Sequence, residues 1–264
     1  MKIWLRVLVY TILFSGIVVI LFLSNSYEKD QKVTTPIISI KYNSEDAILT
    51  ENEIIYRLKL EGYLINNQKF SELNMEAIEK FILDMPEVKN CNVYRELGLT
   101  WNINIELRKI IARIIDKNGK HFYIDDEGFI LERKSNIVCR VPIFTGKNFT
   151  VEHVGFIGDI INKDSLISNK ILQDIYAFSN YVCYNPFLQA LIAQVQVDKN
   201  GHFMIVPEVG DYIIKFGAVE SNAMISDKFF RLENFYKKGI PYEGWNKYKE
   251  INLNYDGQIV CRKK

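Results

Sequence analysis

The sequence predicts an α+β protein with an N-terminal transmembrane helix, a small βααββ domain and a β-rich domain with two or more helices. Three features lead to this prediction. Residues 7–23 are an uninterrupted apolar run, residues 99–107 alternate strictly between apolar and polar, and residues 109–264 contain many short strand-like runs with few helical stretches. The predicted boundaries are 1–6 for a tail, 7–23 for the membrane helix, 24–36 for a linker, 37–108 for the small domain and 109–264 for the β-rich domain.

The composition is that of a folded globular protein, since 48% of the 264 residues are hydrophobic and 25% are charged. Thirty-three basic residues balance 32 acidic ones, so no bulk charge favours nucleic-acid binding. The four cysteines are far apart and form no C-x-x-C pair, which argues against a zinc site. We expect them to be small buried apolar residues, and the spacing leaves disulfide pairing open. They are Cys91, Cys139, Cys183 and Cys261.

The apolar run from Val7 to Leu23 has the properties of a membrane helix. Seventeen uncharged residues at about 1.5 Å each span about 25 Å, close to the thickness of a bilayer core. Lys2 and Arg6 precede the run, so the positive-inside rule places residues 1–6 in the cytoplasm and the rest of the chain outside. Val7, Leu13, Ile20 and Leu23 are predicted to face lipid.

A cleaved signal peptide is the alternative, because Ser24-Asn25-Ser26 is a weak small-x-small cleavage site. Signal peptides usually have an apolar core of about 7–15 residues, and this run is longer. An uncleaved anchor is therefore favoured. The polar residues 24–36 end at Pro36 and are typical of a tether between a membrane helix and a folded domain.

The first folded segment begins with a predicted strand at residues 37–42. Thr50 and Glu53 have the spacing of a capping box, which starts a helix that stops near Gly62. A second helix begins at Asn74 and ends at Pro86, which cannot continue a helix. Two helices therefore follow the first strand.

Two further strands are predicted at 88–95 and 99–107, joined by a turn at 96–98. The second strand places Leu99, Trp101, Ile103, Ile105 and Leu107 on one face. That alternation predicts a sheet with one buried face and one wet face. We expect Trp101 and Ile103 to lie in the core.

This order of elements, directly after a membrane anchor, resembles the POTRA (polypeptide-transport-associated) domain. The phrase MPEVKNCNVYRELGLTWNINIELRKIIARI carries the resemblance. It departs from the usual pattern at residues 107–109, where Leu-Arg-Lys stands in place of a Glu-Arg pair.

The second segment has strand and helix signals in the following order. Strands are predicted at 110–115, 121–124, 129–131 and 191–197, with a VPIFTG stretch at 141–146. Helices are predicted at 169–184 and 224–238. A hairpin is predicted at 203–206 and 212–216, and a second at 248–255 and 258–261 around Asp256-Gly257, which is a strong turn signal.

Catalytic patterns are few. The histidines at 121, 153 and 202 are isolated, and the chain has no P-loop and no G-x-S-x-G motif. The acidic run Asp125-Asp126-Glu127 is a candidate for cation binding or acid–base chemistry, but Gly128 follows directly and favours a hairpin turn. We therefore expect no metal, no cofactor and no enzymatic activity, and a protein that acts by binding.

The segments FYIDDEGFIL and VPIFTG, and the tail KFFRLENFYKKGIPYEGWNKYKEINLNYDGQIVCRKK, resemble the FtsQ (DivIB) family of bacterial cell-division proteins of the Bacteroidetes type. This resemblance implies a single-pass inner-membrane protein with a POTRA domain and a β-rich domain outside the cytoplasm. It also implies recruitment of the small coiled-coil division proteins FtsB and FtsL.

The resemblance further implies a partner site near the C-terminus. The family carries a partner-contacting tyrosine in its penultimate strand, and the matching residue is Tyr255. The strand 250–255 is the expected open edge for strand addition, with Leu253 on the same pleat face as Tyr255 and Ile251 as a further partner-binding candidate. Trp245 is a weaker candidate, since a core role is equally compatible with its position.

Two other functional classes remain alternatives. POTRA domains also occur in accessory proteins of outer-membrane biogenesis and secretion. A membrane-anchored cell-wall enzyme is the third class, and it would require a catalytic group of residues that the sequence does not provide.

Overall fold

The computed structural model describes residues 2–41, 49–96, 100–132, 139–147, 149–159 and 167–264. The chain forms two compact units, Met1–Leu107 and Arg108–Lys264. Each has its own hydrophobic core.

Helix α1 covers Lys2–Asp30. The large apolar side chains from Val7 to Leu23 are between 47% and 71% exposed, and Leu13 and Ile20 are among them. Within the described residues, no helix combines the length and the apolarity that a membrane crossing requires. The span predicted at 7–23 is thus not confirmed and stays a prediction.

The chain between α1 and the first strand differs from the predicted tether. The helix continues through residues 24–30, and the next three residues pair with 68–70. The Phe70 amide donates to the Gln31 carbonyl at 2.9 Å, and the Val33 amide donates to the Gln68 carbonyl at 2.8 Å. The Lys32 ammonium donates to the Asn67 side chain at 2.9 Å. These hydrogen bonds attach residues 31–33 to the first unit and satisfy backbone groups that would otherwise need water.

The first unit has the predicted βααββ order, with a short 3-10 helix at Phe70–Glu72. Its elements are β1 (Ile37–Lys41), α2 (Glu51–Leu60), α3 (Met75–Leu83), β2 (Val88–Arg95) and β3 (Trp101–Leu107). The sheet order is β1-β3-β2, with β1 parallel and β2 antiparallel to β3. The predicted cap at Thr50 is confirmed, since its hydroxyl accepts from the Glu53 amide at 3.3 Å, while the Glu53 carboxylate accepts from the Arg57 guanidinium. The second helix begins as predicted, and the Asn74 side chain accepts from the Ala77 amide at 3.0 Å. Residues 97–99, which include most of the predicted turn, lie outside the described residues.

Strand β3 carries the core of this unit. Trp101 and Ile103 are fully buried, as predicted, and the Trp101 indole N–H donates to the Thr34 carbonyl at 2.7 Å. The opposite face of β3 was predicted to be exposed to solvent, but Asn102 on that face is only 7% exposed. The register explains this, because Asn102 lies between Ile37 of β1 and Tyr94 of β2, which shield it.

The second unit is built on a ten-stranded sheet with the order β13-β12-β11-β10-β9-β7-β4-β5-β6-β8. Its strands are β4 (Ile110–Ile115), β5 (His121–Asp125), β6 (Phe129–Glu132), β7 (Ile143–Gly146), β8 (Gly155–Phe156), β9 (Ile192–Val197), β10 (Phe203–Pro207), β11 (Ile213–Gly217), β12 (Tyr248–Asn252) and β13 (Val260–Lys263). Its helices include α4 (Ile167–Cys183), α5 (Pro186–Leu191), α6 (Asn222–Lys238) and α7 (Ile240–Glu243).

Most of the predicted elements of this unit are present, with shifts of a few residues at their ends. Helix α5 was not predicted. The Asn185 side chain accepts from the Phe187 amide at 3.0 Å and from the Leu188 amide at 3.3 Å, and Pro186 occupies the first helical turn. These are strong helix-start signals, and the helix is only six residues long.

An aromatic cluster holds the helices on the sheet. Phe178 of α4 contacts Phe144 of β7, Phe203 of β10 and Phe216 of β11, with ring centroids 5.1–5.8 Å apart and edge-to-face geometry. Phe229 of α6 contacts Phe178 at 5.1 Å and Phe216 at 4.9 Å. Both long helices therefore pack on the same face of the sheet, through ring geometries that are favourable beyond area burial alone.

A buried tyrosine pair joins β11 and α6 at their ends. The Tyr212 and Tyr236 hydroxyls are 2.6 Å apart, and both side chains are 5% exposed. Burial, together with this contact, raises the pKa of Tyr236 far above its usual value, and burial also raises the pKa of Tyr212. The pair therefore stays protonated in the folded protein at pH values where an unfolded tyrosine ionises.

We expect this pair to make stability dependent on alkaline pH. Unfolded tyrosines ionise near about pH 10, so the folded state retains protons that the unfolded chain releases. The contribution is complete well below that pH and falls progressively as the pH rises above it toward the higher pKa values of the folded pair. Tyr236→Phe should flatten this decline, and it should cost about 1–3 kcal/mol at neutral pH because Tyr212 loses its buried partner. Denaturant titrations from neutral pH to pH 11 measure both effects. Tyr242→Phe, at an exposed tyrosine, is the control, and an unchanged pH slope in Tyr236→Phe contradicts the expectation.

We also expect Trp101→Ala to lower the free energy of unfolding of the first unit by about 3–5 kcal/mol, as for other fully packed aromatic side chains. The measurement is denaturant unfolding of the chain without α1. Tyr56→Ala, at a tyrosine that is 65% exposed in the same unit, should be nearly neutral. Equal effects of the two substitutions would show that the strand register is wrong.

Candidate partner-binding edge

The acidic run at 125–127 forms a hairpin turn, as the sequence favoured. The Asp125 carboxylate accepts from the Glu127 amide at 3.0 Å, from the Phe129 amide at 2.7 Å and from the Arg108 guanidinium at 2.8 Å. Gly128 takes the positive φ of 79° that this turn requires. The carboxylate of Asp125 is 99% buried and holds the hairpin together. Among the residues that the structure describes, no three His, Cys, Asp or Glu side chains are grouped closely enough to bind a metal ion.

Cys91 is buried, and the other three cysteines are partly buried. Burial, helped by the nearby Glu79 carboxylate, raises the pKa of Cys91 to about 12. Burial also raises the pKa of Cys183 and of Cys261. A thiol must lose its proton to act as a nucleophile or a metal ligand, so the raised pKa disfavours the reactive form of these three side chains at neutral pH.

The sheet of the second unit ends at β13. This strand pairs with β12 on one side, and among the described residues no strand pairs with its other side. The opposite edge of the sheet is β8, a strand of two residues. The prediction that 250–255 forms the open edge is wrong, since β12 ends at Asn252 and lies between β11 and β13. The last strand of the chain takes that place, and it exposes a row of backbone donors and acceptors.

Two predicted partner residues on β12 and just beyond it face the core. Ile251 and Leu253 are fully buried in the cluster beneath the helices, so their side chains are not exposed to a partner in the folded protein. The predicted sharing of one face by Leu253 and Tyr255 is also wrong. The strand ends at Asn252, whose side chain accepts from the Asn254 amide at 3.0 Å, and the alternation of faces holds only while the chain stays extended.

Tyr255 and Trp245 lie at the surface, on either side of β12. Tyr255 is 49% exposed and sits in the turn between β12 and β13. Trp245 is 45% exposed, and its ring packs edge-on against Tyr236 with the centroids 5.8 Å apart. Trp245 therefore has both a core contact and an open face, whereas the Tyr255 ring is free for a partner over about half of its surface.

Charged side chains line the strands next to the edge. Glu250 of β12 pairs with Lys215 of β11 at 3.0 Å and lies 3.8 Å from Arg262 of β13. The C-terminal residue is also fixed, because the Lys264 ammonium lies 2.9 Å from the Asp211 carboxylate and the Lys264 amide donates to the Lys247 carbonyl at 3.0 Å. The ammonium holds the pKa of Asp211 below its usual value. Arg262 and Lys263 thus belong to β13, and Lys264 is held just beyond its end.

The sequence did not predict the side chains that shape the turn carrying Tyr255. Arg231 of α6 donates to three carbonyls of that turn, and the sequence shows only its i,i+4 spacing from Asp227. Gly217 takes φ 82° at the end of β11, and a Cβ there would lie 1.7 Å from the Asn254 side-chain oxygen. A glycine is thus required for this close approach. No local pattern in the sequence indicated either contact.

An open strand of this kind can accept a further strand through main-chain hydrogen bonds. The exposed Arg262 and Lys263 on β13 discourage pairing with arbitrary apolar segments, a common protection of natural edges. The edge therefore suits a partner whose side chains complement these charges and reach Tyr255.

Comparison with known families agrees with this architecture. Residues 33–106 match the POTRA-like domain, and residues 109–262 match the family described as FtsQ/DivIB, C-terminal related. No curated protein matches the chain significantly. The second match covers more than half of the chain and includes the open edge. The chain therefore belongs to the FtsQ/DivIB family, with a POTRA-like domain ahead of the family's C-terminal region.

Proposed function

We propose that this protein is a non-enzymatic scaffold of the septal division machinery, held at the inner membrane by α1. It recruits FtsB/FtsL-like division proteins through the open edge at β13 and the neighbouring Tyr255. The family match over residues 109–262, the unit that ends in this edge, is the observation that carries the proposal.

Strand addition supplies the binding energy in this proposal. An extended partner segment pairs with the free backbone groups of β13, and its side chains give specificity. Tyr255 adds a rigid ring with a hydroxyl, a residue type enriched among interface hot spots. Its exposure of 49% leaves that ring accessible in the unbound protein.

The membrane attachment in this proposal rests on residues 7–23. Their large apolar side chains are about half exposed or more, which is unfavourable in water and suits contact with lipid. We place residues 1–6 in the cytoplasm, and the POTRA domain (37–108) and the β domain (109–264) in the extracytoplasmic space.

Depletion of the protein in its native cells tests the role in division. Filamentous cells without septa support the scaffold function. Loss of outer-membrane proteins without filamentation would instead support the biogenesis role that POTRA domains also have, and altered wall products without filamentation would support an enzyme. A fluorescent fusion should concentrate at midcell before constriction.

The topology gives a direct prediction. A reporter that is active only outside the cytoplasm should work when fused after Lys264, and a cytoplasm-only reporter should fail there, because the charge bias of the N-terminus directs the bulk outward. Mass measurement of the mature protein should show an intact residue 1–30 segment. A mature N-terminus after Ser26 would contradict the anchor.

Substitution of Tyr255 gives the prediction for the partner site. Tyr255→Ala should weaken binding of the FtsB-like partner's extracytoplasmic segment by about 2 kcal/mol or more, the usual hot-spot threshold. The melting temperature should hold, since half of the ring is already in solvent. Calorimetric titration and thermal melting of the chain without α1 measure the two quantities. Tyr56→Ala, at an exposed tyrosine of the first unit, should leave the affinity unchanged. Unchanged affinity in folded Tyr255→Ala would reject this contact.

A further inference from the structure

The turn that carries Tyr255 has few hydrogen bonds of its own. The Asn254 amide donates to the Asn252 side chain at 3.0 Å, and the Gln258 amide approaches the Tyr255 carbonyl at 3.5 Å, the limit for a hydrogen bond. Gly257 in the same turn has φ 67°, and a glycine adopts positive and negative φ values with similar ease, so this residue adds little stiffness to the backbone. Internal contacts therefore define the position of Tyr255 only weakly.

Arg231 of α6 forms hydrogen bonds to the turn from outside it. One guanidinium nitrogen donates to the Tyr255 carbonyl at 2.9 Å and to the Gln258 carbonyl at 2.6 Å, and a second lies 3.5 Å from the Leu253 carbonyl. These carbonyls bracket the whole turn. A charged donor makes hydrogen bonds about twice as strong as a neutral one, so this fork restrains the part of the turn between the buried Leu253 and the start of β13.

The guanidinium is itself fixed in orientation. Two of its nitrogens lie 2.8 Å from one oxygen of Asp227, one helical turn earlier, and the Arg231 side chain is only 12% exposed. The neighbouring Lys228 ties the same helix to the sheet, because its ammonium donates to the Phe216 carbonyl at 2.8 Å and to the Ala218 carbonyl at 3.0 Å. Helix α6 thus presents Arg231 to the turn as part of a rigid frame.

We propose that Arg231 is a positioning residue for partner binding, which holds the Tyr255 ring in the orientation that the partner contacts. The inference rests on the proposed function and extends it from the contact residue to the helix behind it. Arginine is specific for this task, because its planar fork reaches several carbonyls at once, whereas a lysine ammonium is a point charge on a flexible stem. In this proposal the partner site consists of the sheet edge at β13 and the Tyr255 ring, whose orientation depends on Arg231 of α6.

A role in stability alone predicts a different pattern of effects. In that case substitution of Arg231 would lower the melting temperature and would change the affinity independently of Tyr255. A positioning role makes the two residues act as one unit, so their effects on affinity are not additive. The double-mutant cycle between Arg231 and Tyr255 therefore separates the two roles.

The experiment uses Arg231→Met, Tyr255→Ala and the double variant in the chain without α1, with the extracytoplasmic segment of the FtsB-like partner as the probe. Arg231→Met should weaken binding about 10-fold, the scale of one charge-assisted hydrogen bond. The double variant should bind within about 2-fold of Tyr255→Ala, because the contact that Arg231 supports is already absent. Lys237→Met is the matched control, because it breaks the exposed Lys237–Glu233 ion pair further along α6. It should change neither the affinity of the parent protein nor that of Tyr255→Ala.

Hydrogen exchange provides a readout that needs no partner. Amides of residues 254–258 should exchange faster in Arg231→Met than in the parent protein, while those of β12 keep their protection. Arg231→Lys should fall between the two proteins in both exchange and affinity, and it replaces Arg231→Met in the cycle if the methionine variant does not fold.

The outcomes separate the inference from the proposed function. Additive losses in the cycle, or unchanged affinity and exchange in Arg231→Met beside a weakened Tyr255→Ala, overturn the positioning role alone. Unchanged affinity in Tyr255→Ala itself overturns the Tyr255 contact on which the inference rests. Non-additive losses together with faster exchange of the turn support the positioning role.

Discussion

Backbone pairing within one ten-stranded sheet is the constraint on which the second unit depends. Each strand must satisfy its amide and carbonyl groups on both sides, and interior strands do so with their neighbours. The parallel pairs β4–β7 and β7–β9 lie well inside the sheet, beneath the helices whose phenylalanines fill the core. In the part of the sheet that the structure describes, the strands with one unpaired side are the two at its ends. One end is closed by the two-residue β8, and the other is β13, which is long enough to receive a partner.

Helix α6 links the core of this unit to that open end. Its inner face packs Phe229 and Leu232 into the aromatic cluster, and Lys228 binds two carbonyls at the end of β11. Burial lowers the pKa of Lys228, because it disfavours the charged form. The hydrogen bonds to the two carbonyls offset part of the cost of burying this ammonium. The outer face carries Arg231 to the turn beside the edge. A substitution that shifts α6 should therefore disturb the proposed partner site as well as the core.

The sequence predicted the parts of the fold that depend on local periodicity. The alternation through Trp101 and Ile103 identified a buried face, because a period of two fixes which side chains point inward. Helix caps at Thr50 and Asn74 were predictable for the same reason, since the capping side chain lies within three residues of its partner. Asn102 was not, because its burial depends on pairing with β1, whose Ile37 lies 65 residues earlier in the sequence.

The arrangement of the proposed partner site was predicted only in part, and the physical reason is the same. The resemblance to the FtsQ/DivIB family located Tyr255, but the order of strands in a sheet is a long-range property that no local pattern specifies. The last strand was consequently taken for an ordinary hairpin arm, and Ile251 and Leu253 were placed at the surface although both are buried. Arg231 was not predicted, because it donates to backbone carbonyl groups 22–27 residues away. Every residue has such a carbonyl, so the sequence does not indicate which ones the arginine contacts.

The central claim is that the open edge at β13 is where the partner binds. Hydrogen exchange of the extracytoplasmic chain, with and without the FtsB-like partner segment, tests it most directly. The account predicts that the partner protects amides within Val260–Lys263, while the opposite edge at Gly155–Phe156 and the edge strand β1 of the first unit exchange as before. Protection confined to β1 or to β8, with β13 unchanged in a saturated complex, would contradict it.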